Sequence, residues 1–223
     1  MPTLFSYCIP FDDGAAPNPF WGVCTLVICK PKIRRQAEVG DWVVGTGSVN
    51  SELGDLGDKI VYAMKVTEKM TMRQYDALTQ KSLREKIPDW HHKNHRLRLG
   101  DSIYDFSSDP PKQRESVHRH GNMPTDLGGG FALLSTHFFY FGGKPEPLPP
   151  DLMPIVKQGQ GHRSTSNAPY FDRFVEWIEN LGIKPNTLVS KPQIDLFEDE
   201  EMVAKCADCR REQAEEDERS GED

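Results

Sequence analysis

The densest concentration of side chains able to do chemistry lies in the run CKPKIRRQAEVGDWVVGTGS, residues 29–48. Lys30, Lys32, Arg34 and Arg35 can neutralise phosphates, and a guanidinium does so bidentately. Trp42 offers a ring on which a base can stack. Thr46, Gly47 and Ser48 combine hydroxyls with a backbone that a ligand can approach closely. Together these make a base-and-phosphate site, with a solvated basic turn ahead of a core tryptophan as the alternative. The glycines match neither the phosphate loop with its terminal Lys-Ser/Thr nor the six-residue fingerprint that opens a dinucleotide-binding helix, which argues against nucleoside triphosphate hydrolysis.

Two further segments carry related groups. In GDSIYDF, Asp101, Tyr104 and Asp105 put carboxylates beside an aromatic ring, so that one can accept from a base amino group while the ring stacks. Asp101 could equally cap its own turn. In GQGHRS, His162 can bind a base edge or shuttle a proton, and Arg163 can grip a phosphate, framed by Gly159 and Gly161. His91, His92, His95, His118 and His120 fall in polar loops, without a His-Glu-x-x-His pattern or a His-x-Asp/Glu pair with a distant histidine. Cys206-Ala207-Asp208-Cys209 is half of a zinc site at most. No metal and no cofactor is expected. A Cys-His or Ser-His-acid set is not readable from spacing, because Cys8, Cys24 and Cys29 lie in apolar runs and no nucleophile elbow is present.

These segments must be held by a framework, and the apolar pattern supplies one. Residues 3–9 and 22–29 read as strands, DWVVGTGS as a short strand, and KIVYAMKVTEKM as a long one. TMRQYDALTQKSLREK reads as a helix with Thr71 as N-cap. FALLSTHFFYF, residues 131–141, suits a central strand. APYFDRFVEWIENLG places Phe171, Phe174, Val175, Ile178 and Leu181 at helical spacing, with Gly182 as the stop. Short strands with two helices and no regular strand-helix alternation indicate an α+β fold, a small mixed β-barrel with flanking helices. Residues 1–192 are expected to form this domain and residues 193–223 an acidic tail, partly helical or disordered.

The 223 residues are 37% hydrophobic and 27% charged, enough for one buried core. No run suits a membrane span or a secretion signal, so no membrane partner and a cytoplasmic location with reduced thiols are expected. The net charge of −7 is uneven. Residues 193–223 hold 13 acids against 4 bases, leaving 21 acids against 23 bases in the remainder. A near-neutral body with its acid on an extension is compatible with a nucleic-acid partner.

NPFWGVCTLVICKPKIRRQAEVGDWVVGTGS, then KIVYAMKVTEKMTMRQY, GDSIYDF, FFYFGG and GQGHRS, in this order over roughly residues 3–185, resemble the nucleotide-modification-associated domain 2 family of DNA base hypermodification proteins. The step from VGDWVVGTGS to KIVYAMKVTEK is more loosely similar to the PUA-like barrels of EVE and ASCH domains. That likeness implies a barrel-side cleft for a modified base. The cleft would be lined by Trp42, Thr46, Gly47, Ser48, Asp101, Tyr104 and His162, with Lys30, Arg34, Arg35 and Arg163 on the phosphates of DNA or of a modified nucleotide. Two alternatives stand beside this reading. One is an enzyme acting on a modified base, for which the ASCH likeness implies Thr46, Lys30 and Glu68. The other is a subunit docking to proteins of a modification system through the acidic tail, which could also fold back on the basic turn.

Overall fold

The computed structural model describes residues 1–197 and 200–219. In chain order its elements are β1 (Leu4–Ile9), β2 (Cys24–Leu26), α1 (Pro31–Gln36), β3 (Trp42–Gly47), β4 (Lys59–Lys65), β5 (Glu68–Thr71) and α2 (Met72–Ser82). There follow α3 (His95–Arg98), β6 (Tyr104–Asp105), β7 (Lys112–Gln113), α4 (Met123–Gly128), β8 (Phe131–Ser135) and β9 (His137–Tyr140). The chain ends with β10 (Glu146–Pro147), β11 (His162–Arg163), α5 (Phe171–Glu179), β12 (Thr187–Leu188) and α6 (Glu200–Arg219). The main sheet has the order β11-β1-β3-β4-β9-β12, with β10 on β4, and a second sheet has the order β2-β8-β5. β1 and β3 run parallel, from Leu4 opposite Trp42 to Ile9 opposite Gly47. β4 is antiparallel to both β3 and β9.

The runs 59–70 and 131–141, each expected to be one strand, are bent across the two sheets. One passes from β4 to β5 at Val66 and Thr67, and the other from β8 to β9 at Thr136. Thr67 holds both bends: its amide donates to the Leu134 carbonyl (2.9 Å) and its hydroxyl accepts from the Thr136 amide (3.1 Å). The β4–β9 pair therefore turns a corner into the β5–β8 pair, as strands do when they switch sheets. The result corrects the expected closed barrel: β11 and β12 remain the two ends of the main sheet among the described residues, so the architecture is mixed α+β with an open sheet.

Side-chain alternation sorts the core into layers. Leu4, Trp42, Val44, Phe139 and Phe141 face one side of the main sheet, where Leu152, Ile155 and the α5 residues Phe174 and Ile178 cover them. Phe5, Tyr7, Ile9, Val43 and Met64 face the other side, against Cys24, Leu26 and Leu133 of the second sheet and Ile33 of α1. A third cluster, including Val27, Met72, Tyr75, Ile103 and Tyr104, lies beyond the second sheet. α2 starts as its sequence indicates, in a capping box: the Thr71 hydroxyl accepts from the Gln74 amide (3.2 Å) and Gln74 Oε1 from the Thr71 amide (2.9 Å).

The acidic end is a helix laid on the body. Cys206 is 2% exposed and Ala207 is buried, Asn122 Nδ2 donates to the Ala207 carbonyl (2.9 Å), and Arg35 pairs with Glu218 (2.7 Å). Residues 198, 199 and 220–223 of the expected tail lie outside the described residues. Among the described residues, no helix is long and apolar enough to cross a membrane. Trp42, 1% exposed and within 5.8 Å of the Phe174 ring, is the largest fully buried side chain. Trp42→Ala is therefore expected to cost about 3–5 kcal/mol in urea unfolding, far more than a change at an exposed position such as Val39.

Candidate functional site

Because β1 and β3 are parallel neighbours, their carboxyl ends emerge side by side and the chain then diverges in two loops. Openings of this kind are where open sheets with parallel strands commonly take ligands. Here the opening is a cleft of about 800 Å³. One wall is Cys8 near the end of β1 with Pro10 and Phe11 beyond it, another is Gly47 at the end of β3 with Ser48 to Asn50, and Met153 to Gln160 closes the third side. Lys59, Asp55 and Asp58 add charge of both signs.

Two of the walls are fixed by local bonds. Ser48 Oγ accepts from the Asn50 amide (3.1 Å), and the Ser48 carbonyl from the Leu56 amide (3.0 Å). The third wall is pinned where Arg163 Nη1 donates to the carbonyls of Pro154 (2.8 Å) and Val156 (3.2 Å), and where Ser6 Oγ donates to the Ile155 carbonyl (2.5 Å). Gly159 and Gly161, at φ +76° and +87°, supply the left-handed turn that returns the chain to β11. Arg163 also lines an adjoining space of about 360 Å³ that shares Gly57, Met153 and Lys157 with the cleft.

Of the residues expected at a site, Gly47, Ser48 and Arg163 thus gather here, and the others are placed elsewhere. Trp42 is enclosed by His137, Phe139 and Phe174, so its faces are not open to a base. Thr46 is buried and donates to the Tyr7 carbonyl (3.2 Å). Asp101 is buried, accepting from Thr25 (2.5 Å) and Tyr75 (2.6 Å). His162, next to Arg163 on β11, points the opposite way and meets Gln36 (3.2 Å). Arg35 is on the surface with Glu218, and the Lys30 ammonium sits 4.7 Å from the Tyr7 ring centre. Thr46, Lys30 and Glu68 do not assemble: Glu68 is exposed on β5 in the second sheet. The cleft residues missed on sequence, Phe11, Asn50, Lys59, Lys157, Gln158 and Gln160, come from separated loops, except Lys59 at the start of β4, and no motif marked them.

Tyr104 and Arg34 instead converge on Asp126 of α4. Its carboxylate accepts from the Tyr104 hydroxyl (2.8 Å), the Cys29 amide (2.9 Å) and His118 Nδ1 (2.6 Å), and its backbone carbonyl accepts from Arg34 Nη2 (2.5 Å). Arg34 is fully buried, its other donors on the carbonyls of Val27, Cys29 and Phe131. Burial opposes a charge on His118, yet the attraction of Asp126 and then of Cys29, with the hydrogen bonds to both, outweighs it and raises its pKa to about 10. Burial likewise opposes ionisation of Asp126, but His118 and Arg34 prevail and hold its carboxyl below the usual range. A raised folded-state pKa stabilises fully below the unfolded value of about 6.5, and that contribution is lost as pH rises through the folded value. Buried Lys86, pushed down to about 8 chiefly by desolvation, acts in the opposite sense, so the informative quantity is a difference between variants. Wild type is expected to lose its stability advantage over His118→Gln as pH rises through about 10, measured by urea unfolding across that range; a constant difference would contradict the ion pair.

A family model described as nucleotide modification associated domain 2 matches residues 1–199. No curated protein and no solved structure matches the chain.

Proposed function

Starting from a chain that belongs to the nucleotide modification associated domain 2 family, we propose that the protein serves a nucleotide modification system by binding a modified base or nucleotide in the cleft at the ends of β1 and β3. The observation that carries this reading is the cleft itself. Its volume of about 800 Å³ falls in the range of small-molecule sites, and its lining has the three kinds of group that a nucleotide requires. Phe11, half-buried at the rim, supplies the stacking face expected of Trp42. Asn50, Gln158 and Gln160 supply amides that donate to and accept from a base edge. Lys59 and Lys157 supply positive charge for a phosphate.

Asp55 and Asp58 balance the two lysines, so the cleft is not a uniformly basic track for a polyanion. It favours a ligand with one anionic end and one base end, either a free nucleotide or a base turned out of a strand. Gly159 in the wall has open space where a Cβ would stand, which leaves room for a substituent on the base.

The test is a fluorescence titration with plain and hypermodified deoxynucleotides, free and within short oligonucleotides, at two salt concentrations. Saturable binding with preference for a modified base is expected. Phe11→Ala should weaken it roughly tenfold, the scale of one lost base–aromatic stack. Lys157→Ala should lower the salt slope by about one for oligonucleotides. Absence of saturable binding, or affinity indifferent to Phe11, would remove the reading.

A further inference from the structure

A small cavity of about 30 Å³ adjoins the cleft and shares Cys8, Pro10 and Phe11 with it. Cys29 and Lys30 line it, and Cys206 and Cys209 reach it from α6. Behind it Cys29 meets two residues far from it in sequence, His118 and Asp126. The Cys29 sulfur stands 3.5 Å from His118 Nε2, and His118 Nδ1 stands 2.6 Å from Asp126 Oδ2. Cys29 and His118 are 89 positions apart, which is why spacing did not reveal the set.

The backbone around the thiol is as specific as the side chains. Cys29 and Lys30 are both left-handed, at φ +59° and +38°, on the turn that leads into α1. Successive non-glycine residues at positive φ are unfavourable and persist only where their surroundings impose them. Here the Cys29 amide is held by Asp126 Oδ1 and its carbonyl by Arg34 Nε (2.8 Å). One carboxylate therefore positions both the nucleophile's backbone and the imidazole beside its sulfur. A histidine retained only for packing would not require a strained turn that brings a thiol to its free nitrogen and to a cavity.

We propose that Cys29 is the nucleophile of an acyl-transfer or hydrolytic site, with His118 as its base and acid and Asp126 as the residue that positions the imidazole. The substrate class is an amide or ester carbonyl. The sulfur attacks the carbonyl carbon, forming a C–S bond as the carbonyl electron pair moves to oxygen, and the thiol proton resides on His118 Nε2. On collapse, the bond to the leaving nitrogen or oxygen breaks and that atom takes the proton from His118, leaving a thioester on Cys29. Water then attacks the thioester and gives a proton to His118. The C–S bond breaks, releasing the acid and restoring the Cys29 thiolate beside protonated His118; the net reaction is acyl–X plus water to acid plus H–X. Tyr104, donating to the Asp126 oxygen that also meets His118, helps hold that carboxylate in place. That the acyl group is a substituent of a nucleotide in the neighbouring cleft rests on the function proposed above; the thiol chemistry does not.

The full chain treated with p-nitrophenyl acetate tests the site without any nucleotide, so its outcome is independent of the titration that tests the cleft. Peptide mass mapping is expected to find the acetyl group on Cys29 before Cys8 and Cys209, although Cys29 is 8% exposed and the other two are more accessible. A burst of p-nitrophenolate should accompany it and vanish in Cys29→Ser, and His118→Asn should slow acylation by about a hundredfold or more. Acetylation of Cys8 or Cys209 at or above the rate of Cys29 would overturn the proposal, and this ranking within the wild-type chain requires no variant to fold. Acylation of Cys29 that is unchanged in a folded His118→Asn protein would overturn it equally.

Discussion

The organisation around α1 depends on one buried carboxylate. Asp126 is 1% exposed, and a charge so placed is tolerated only when paired and fully hydrogen-bonded. Its partners come from three separated segments: the turn before α1 with α1 itself (Cys29 amide and, through the Asp126 carbonyl, Arg34), β6 (Tyr104) and the loop at His118. Satisfying Asp126 thereby draws these segments together. The guanidinium of Arg34 obeys the same constraint with backbone carbonyls, which ties α1 to the second sheet at Phe131. The strained turn at Cys29 and the orientation of the His118 ring both follow from this one requirement.

The second constraint is the parallel pairing of β1 with β3. It opens the main sheet at one end, and the loops that leave there become walls of the cleft. The segment at the end of β1, from Cys8 to Phe11, is a wall shared with the cavity at Cys29. A ligand-sized space and a thiol–imidazole pair thus lie on either side of the same few residues. Binding and chemistry would be neighbours in this arrangement, with the base held in the cleft and its substituent directed across the shared wall.

Much of the framework was legible because it rests on local physics. The Thr71 N-cap and the apolar stripe of α5 are short-range signals, and both elements formed where expected. The runs 59–70 and 131–141 misled because an apolar strand that changes sheets keeps its strand-like composition throughout; only Thr67 and Thr136, polar residues within those runs, mark the corner. Among the site residues, chemistry suggested a role but burial decided it. Arg34 and Arg35 are adjacent and chemically identical, yet one is sealed in a carbonyl cage while the other faces solvent with Glu218. Trp42 had the right ring but filled the core. The Cys29–His118 contact spans 89 positions and leaves no local trace.

The claim on which the account turns is that Asp126 holds a charged imidazole against the Cys29 sulfur. The direct measurement is nitrogen-15 NMR of the His118 ring in the full-length protein near pH 7, together with a search for a far-downfield proton on Nδ1. The account predicts that both ring nitrogens are protonated and that a slowly exchanging downfield proton lies between Nδ1 and Asp126, lost in Asp126→Asn. A neutral ring at pH 7, with no such proton, would contradict it.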